Sequence, residues 1–143
     1  MEAYAGRLAM EIKARKEAKK GAKTDLFRIM EEHDRDRLTS GIWERALEHG
    51  DDLATTLIDR AVKALGVGIA SSVNLIDPEA VIIGGGLGER LGEKYVHRIG
   101  QRMHPHLFVD DNPPEMRLAA LGDLGGAIGA ALLVTGKVPA AAT

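Results

Sequence analysis

Apolar positions recur along the first half of the chain at the three- and four-residue spacing of amphipathic helices. Tyr4, Leu8 and Ile12 lie four apart on one helical face, and Gly21 follows as a stop signal. Leu26, Phe27, Ile29 and Met30 predict a short second helix that ends in the polar stretch from His33 to Arg37. Thr39 and Ser40 are N-cap candidates for a third, carrying Ile42, Trp43, Ala46 and Leu47. Beyond Gly50, Asp51 or Asp52 caps the longest helix, whose stripe runs from Ala54 and Ile58 to Val73 and Ile76. The second half of that helix is thin (Gly66, Gly68, Ala70, Ser71, Ser72), which lets a neighbouring element approach closely. Asp77–Pro78 ends it, because the residue before a proline is driven out of the α region.

The period then changes. Ala80-Val81-Ile82-Ile83 is a short apolar run that predicts a buried, parallel strand. Gly84-Gly85-Gly86-Leu87-Gly88 follows, and then a helix from about Glu89 to Met103 with Leu91, Tyr95, Val96 and Ile99 on its apolar face. His104 to Pro114 has no period and predicts a loop. Glu115 to Leu121 alternates Met116, Leu118 and Ala120 inward as a second strand. An Ala/Gly-rich helix spans Asp123 to Val134, and 136–143 predicts a frayed tail. The pattern is that of a helix-rich α/β chain with about two strands and five to six helices.

Composition narrows the function classes. Glycine stands at 17 of 143 residues and aromatics at 3%, against an ordinary glycine share of about 7%. Such a chain favours close backbone packing and backbone-mediated contacts over stacking platforms. The net charge of −2 offers no electrostatic footprint for nucleic acid. Zero cysteines exclude disulfides, thiolate metal sites and thiol nucleophiles. The charged N-terminus does not read as a signal peptide, and no apolar run is long enough to span a bilayer. The expectation is a single-domain cytoplasmic protein with no membrane partner.

Three places invite a chemical reading. Gly84, Gly85 and Gly86 follow a strand, where N–H groups can approach a phosphate or an adenosine. No third glycine falls in phase for a dinucleotide fingerprint, and no Walker A pattern exists. Asp123-Leu124-Gly125-Gly126-Ala127 resembles the D-x-G-G-T phosphate loop of the actin/hexokinase superfamily. There the glycines turn into a hairpin, whereas here the chain continues as helix, so Asp123 reads as an N-cap. His97, His104 and His106 with Asp110 have metal-binding donor atoms but no helical ligand spacing, and read as surface loop. No catalytic residue and no metal ligand is assigned.

Three stretches together resemble the ROK family of sugar kinases, most closely its bacterial glucokinases. Glu2-Ala3-Tyr4-Ala5-Gly6 is similar to the segment just after the family's last zinc cysteine. Leu65 to Ala70, Val73 to Glu79 and Val81 to Gly86 resemble its LGxGIANLVNLLDPExIVIGGG stretch, and Leu121 to Ala131 its terminal GDxAGAIGAA. The resemblance implies part of a ribonuclease H-like, actin/hexokinase-type lobe over 1–135. It implies that Glu2 hydrogen-bonds sugar hydroxyls, that Gly84, Gly85 and Gly86 form the adenosine motif, and that Asp123 to Ala131 lie in a helix at the hinge between lobes.

It also implies what lies elsewhere. The family's phosphate loop, catalytic aspartate and zinc motif belong to a half that these residues do not match. The expected activity is therefore that of an ATP-dependent, Mg²⁺-assisted kinase acting on a hexose such as glucose, with this portion inactive alone. The chain is read as a fragment or as a gene reduced to its C-terminal half. A hinge helix without its partner exposes an apolar strip, so a homodimer is expected. Two alternatives stay open: the sugar-sensing portion of a ROK transcriptional repressor, and a non-enzymatic dimeric module derived from a kinase half.

Overall fold

A computed structural model describes residues 1–109 and 111–135, with the side chain of Asp123 outside that set. The tail expected over 136–143 lies outside the described residues. The first break comes at Gly6, whose extended backbone (φ −66°, ψ 135°) separates α1 (Glu2–Ala5) from α2 (Arg7–Lys19). The break takes Tyr4 off the helix of Leu8 and Ile12, and all three are exposed, at 48%, 55% and 59%. The inward face of α2 carries Met10, Glu11 and Ala14 instead. Two apolar faces compete on this segment, and the one holding Met10 and Ala14 is chosen because Glu11 between them is tied to the loop before α4. The C-terminus of α2 closes as a Schellman motif around Gly21 (φ +97°), with Ala22 N–H donating to Glu17 and Gly21 N–H to Ala18.

Helices α3 (Leu26–Glu32), α4 (Ser40–Glu48) and α5 (Asp52–Ile76) supply most of the core. Leu26, Ile29, Ile42, Trp43, Ala54, Ile58 and Ala61 are all essentially inaccessible to solvent. Asp51 is the N-cap of α5: its Oδ1 accepts Ala54 N–H at 2.8 Å. Its Oδ2 accepts Thr24 Oγ1–H at 2.7 Å and Asp25 N–H at 2.6 Å, fastening the start of α3 to the start of α5. The thin half of α5 behaves as its composition dictates. A Cβ on Gly66 would stand 2.6 Å from Arg102 Cβ and 2.7 Å from the Arg102 carbonyl carbon, so α5 and the end of α6 touch backbone to backbone. α5 stops at Asp77 as expected, although Asp77 is left-handed (φ 51°) and not extended. Its N–H still closes on Val73, and aspartate tolerates that conformation better than most residues.

β1 (Ala80–Ile83) and β2 (Glu115–Leu118) pair in parallel, Ala80 opposite Glu115 through Ile83 opposite Leu118. α6 (Gly86–Met103), broken into two helical pieces at Gly92 (φ 62°, ψ −157°), and a 3₁₀ turn at His104–His106 form the connection. β1 is not the buried strand its composition predicts. Val81 and Ile83 are half-buried against α6 and β2, while Ile82 on the other face is 66% exposed. A two-stranded sheet with helices on one side covers one face only. β2 is shorter than expected, and Ala120 falls beyond it in the turn that leads to a 3₁₀ segment, Gly122–Leu124. α7 (Gly125–Thr135) follows as a helix, as its composition requires. No residue of α7 is buried among the described residues, and Leu133 and Val134 stand 77% and 89% exposed.

Candidate functional site

The three glycines after β1 are there for three different reasons. Gly84 brings the chain past the end of β2, where a Cβ would lie 3.3 Å from Ala119 Cβ. Gly85 has φ +83°, a conformation that a side chain strains. Gly86 opens α6 directly above Ser40, the first residue of α4, and a Cβ at Gly86 would come within 2.5 Å of the Ser40 hydroxyl. The turn therefore sets the N-termini of α4 and α6 side by side. Neither has a side-chain cap hydrogen bond; in α4 the Ile42 N–H donates to the Thr39 carbonyl at 3.1 Å, which leaves the N–H groups of Ser40 and Gly41 available to an acceptor.

Between these termini lies an open cleft of about 810 Å³. Its floor is Thr39, Ser40, Gly41 and Gly86, and its rim carries Arg7, Arg35, Arg45 and Arg90. Glu44 and Glu89 are the acidic groups of the lining, and Arg90 Nη1 meets Glu44 Oε2 at 3.3 Å. Arg45 is held by His33: His33 Nδ1–H donates to the Ile29 carbonyl at 2.9 Å, which leaves Nε2 to accept from Arg45 Nη1. Arg7 and Arg35 have no carboxylate partner among the described residues. An excess of cations thus faces two helix N-termini, a geometry suited to an anion.

The loop that carries Arg35 into α4 is fixed from below by Glu11, only 4% exposed. Its Oε1 accepts from Arg15 at 2.9 Å, and its Oε2 accepts from Arg37 Nε and from the Leu38 N–H, each at 3.1 Å. Burial pushes the Glu11 carboxyl up. The hydrogen bonds from Arg15, Leu38 and Arg37 outweigh it and hold the group below the usual carboxylate range. Neither Glu11 nor the four arginines stands out in the sequence. The signal that finds them is spatial, since Glu11 and Leu38 are far apart along the chain.

Of the residues singled out by sequence, Gly86 lines the cleft, and Gly84 and Gly85 shape the turn beside it. Glu2 lies elsewhere. It is exposed on α1 with its carboxylate folded over Gly6. Its neighbours Met1 and Tyr4 border a separate apolar depression of about 470 Å³ with Val67 and Gly68. The structure does not bring Glu2 into the cleft lining. Asp123 falls in the 3₁₀ turn before α7, its side chain outside the described residues. Asp110, considered beside His97, His104 and His106, is also outside them.

The helix-rich α/β arrangement, with two parallel strands and a glycine turn after the first, is that of actin/hexokinase-fold sugar kinases. The ROK family model matches residues 1–137, and the chain belongs to the ROK family. The ROK family glucokinase from Streptomyces griseus, solved in complex with glucose and AMPPNP, superposes with a TM-score of 0.72 at 26% identity, covering 92% of this chain and 43% of that one. The ROK hexokinase from Thermus thermophilus gives 0.66 at 28% identity over 95% of this chain and 42% of its own. By sequence, an N-acetylgalactosamine kinase of Shewanella sp. is 37% identical over 91 residues, 64% of this chain and 29% of the relative. An N-acetyl-D-glucosamine kinase of Escherichia fergusonii is 34% identical over 86 residues, 60% of this chain and 28% of the relative. The chain spans less than half of each of these proteins.

Proposed function

We propose that this chain supplies the C-terminal portion of an ATP-dependent sugar kinase, with the cleft between α4 and α6 as its nucleotide side. The observation that carries the reading is the contact of Gly86 with Ser40, which leaves backbone at the floor of a cationic cleft where a side chain would intrude. The fold around it resembles a glucokinase crystallised with glucose and a nucleotide analogue. In this reading Gly84, Gly85 and Gly86 approach the nucleotide, and Glu2, on a separate surface, hydrogen-bonds hydroxyls of a hexose such as glucose. Glu44 is engaged by Arg90 and the rim is otherwise cationic, so Mg²⁺ travels with the nucleotide's phosphates and is not held by this cleft.

The transfer step needs a base to take the sugar hydroxyl proton and a loop to hold the transferred phosphoryl group. Neither is assigned among these residues, so the 143-residue chain alone is proposed to bind and not to turn over. The cytoplasm, where ATP is abundant, is the proposed setting. The bare apolar strip of α7 favours pairing of two copies. Thermal denaturation with Mg–ATP and with glucose tests the binding claim, since saturation at about a hundred times Kd stabilises by about 2.7 kcal/mol. A melting temperature raised by Mg–ATP supports the nucleotide assignment, and one raised by glucose supports Glu2. No rise with either removes both. Appreciable glucose phosphorylation by the purified chain would overturn the claim that it is inactive alone, and a monomeric mass by light scattering at micromolar concentration would overturn pairing.

A further inference from the structure

Five groups meet at the loop that joins α3 to α4. Glu11, on α2, accepts from Arg15, from Arg37 Nε and from the Leu38 N–H, and Arg15 Nη2 also donates to the Asp36 carbonyl at 3.4 Å. The Arg15 guanidinium in turn meets Met30 Sδ at 3.7 Å and lies 5.2 Å from the centroid of the Phe27 ring. Three successive loop residues, Asp36, Arg37 and Leu38, are thus gripped from α2. Among the described residues no other side-chain hydrogen bond from outside the loop reaches residues 34–39.

The next residues along the chain, Thr39, Ser40 and Gly41, form the floor of the cleft, and Arg35 stands on its rim. Glu11, Arg15 and Arg37 do not line it, so Glu11 acts on the cleft only through the loop. A buried ion cluster is a weak source of stability, because apolar side chains of the same volume do as well or better. What the charges add is direction, since each hydrogen bond fixes one atom of the loop. The loop has little else to fix it. Asp34 leaves α3 in the left-handed region (φ 49°), and of residues 34–39 only Leu38 is buried.

Resting on the assignment of this cleft to the nucleotide, we infer that Glu11 is a positioning residue for nucleotide binding. Through Arg15, Arg37 and the Leu38 N–H it sets where the loop delivers Thr39, Ser40 and Gly41. The nucleotide itself does not touch it.

Calorimetric titration of the full chain with Mg–ATP decides it, comparing the parent with Glu11→Gln, Arg37→Gln and Gly66→Ala. Glu11→Gln keeps the side-chain volume and loses the charge that both arginines meet. Arg37→Gln removes one tie at an exposed position outside the cleft, where substitution is tolerated. Gly66→Ala, whose added Cβ meets Arg102 and Met103, measures what a general loss of stability does to affinity. Affinity is expected to weaken about tenfold in Glu11→Gln and about threefold in Arg37→Gln, and to stay within about twofold in Gly66→Ala. The amide resonances of Ser40 and Gly41 in the unliganded protein are expected to move in the first two variants and not in the third. Parent-like affinity in either Glu11→Gln or Arg37→Gln, or an equal loss in Glu11→Gln and Gly66→Ala, overturns the positioning role and leaves the nucleotide assignment standing. Should Glu11→Gln not fold, Arg37→Gln decides alone. No binding of Mg–ATP by the parent overturns both.

Discussion

The hydroxyl of Ser40 occupies the space that a side chain at Gly86 would need, 2.5 Å from where its Cβ would lie. Ser40 begins α4 and Gly86 begins α6, so this one contact sets the width of the cleft floor. Gly86→Ala is expected to turn the Ser40 hydroxyl aside at a cost of about 1 kcal/mol or less, since that atom can rotate away. Nucleotide affinity should fall several-fold. Adding Ser40→Ala should recover the stability cost, and a double-mutant cycle by denaturant titration measures the coupling.

Gly66 makes the opposite case, because its neighbours are backbone and cannot rotate. With the Arg102 carbonyl carbon at 2.7 Å and Met103 N at 2.9 Å from an added Cβ, Gly66→Ala must push α5 and α6 apart. The expected loss is about 2–3 kcal/mol in urea unfolding. Gly126→Ala, on α7 with nothing within 4 Å of the added atom, is expected to be neutral or stabilising by up to about 1 kcal/mol.

Asp51 holds two helix starts with one carboxylate. Asp51→Ala removes the cap of α5 and leaves Thr24 Oγ1 and the Asp25 N–H without their acceptor. A cap is worth about 1 kcal/mol, and each of these two half-buried groups, which water partly reaches, adds about 0.5–1.5 kcal/mol. A loss of about 2–4 kcal/mol is expected. Asp51→Asn, which keeps an acceptor, should lose less than half of that.

Glu11 links stability to acid. Its folded pKa lies below its unfolded value of about 4.3, so its contribution is fully present above that value. It is lost as pH falls through the folded pKa. Glu11→Gln is expected to cost about 2–4 kcal/mol at pH 7, where Arg15, Arg37 and Leu38 lose a charged acceptor. The variant should also lose less stability than the parent as pH falls below about 4.3. Denaturation midpoints across that range read both effects.

Local chemistry was legible in the sequence wherever a residue acts on its own neighbours. Gly21, Asp51, the strands at Ala80–Ile83 and Glu115–Leu118 and the helical reading of Gly125–Thr135 all follow from short-range rules of capping and period. What was not legible depends on long-range choices. The Tyr4, Leu8, Ile12 stripe satisfies the helical period but faces solvent, because Met10 and Ala14 satisfy it too and Glu11 decides between the faces from a loop far along the chain. Ile82 reads as core in an apolar run, yet the sheet has only one covered face. In the site, the glycine turn was visible as a motif, while Arg7, Arg35, Arg45 and Ser40 come from separate elements and share no spacing.

The most direct test of the donor cleft is ¹H–¹⁵N correlation spectroscopy of the full chain during titration with Mg–ATP. Saturable shifts are expected at the amides of Ser40, Gly41, Ile42, Gly85 and Gly86, with little change near the separate groove of Asp59, Arg98 and Gln101. Shifts absent from the first set, or centred on the second, would contradict the assignment of the α4–α6 cleft to the nucleotide.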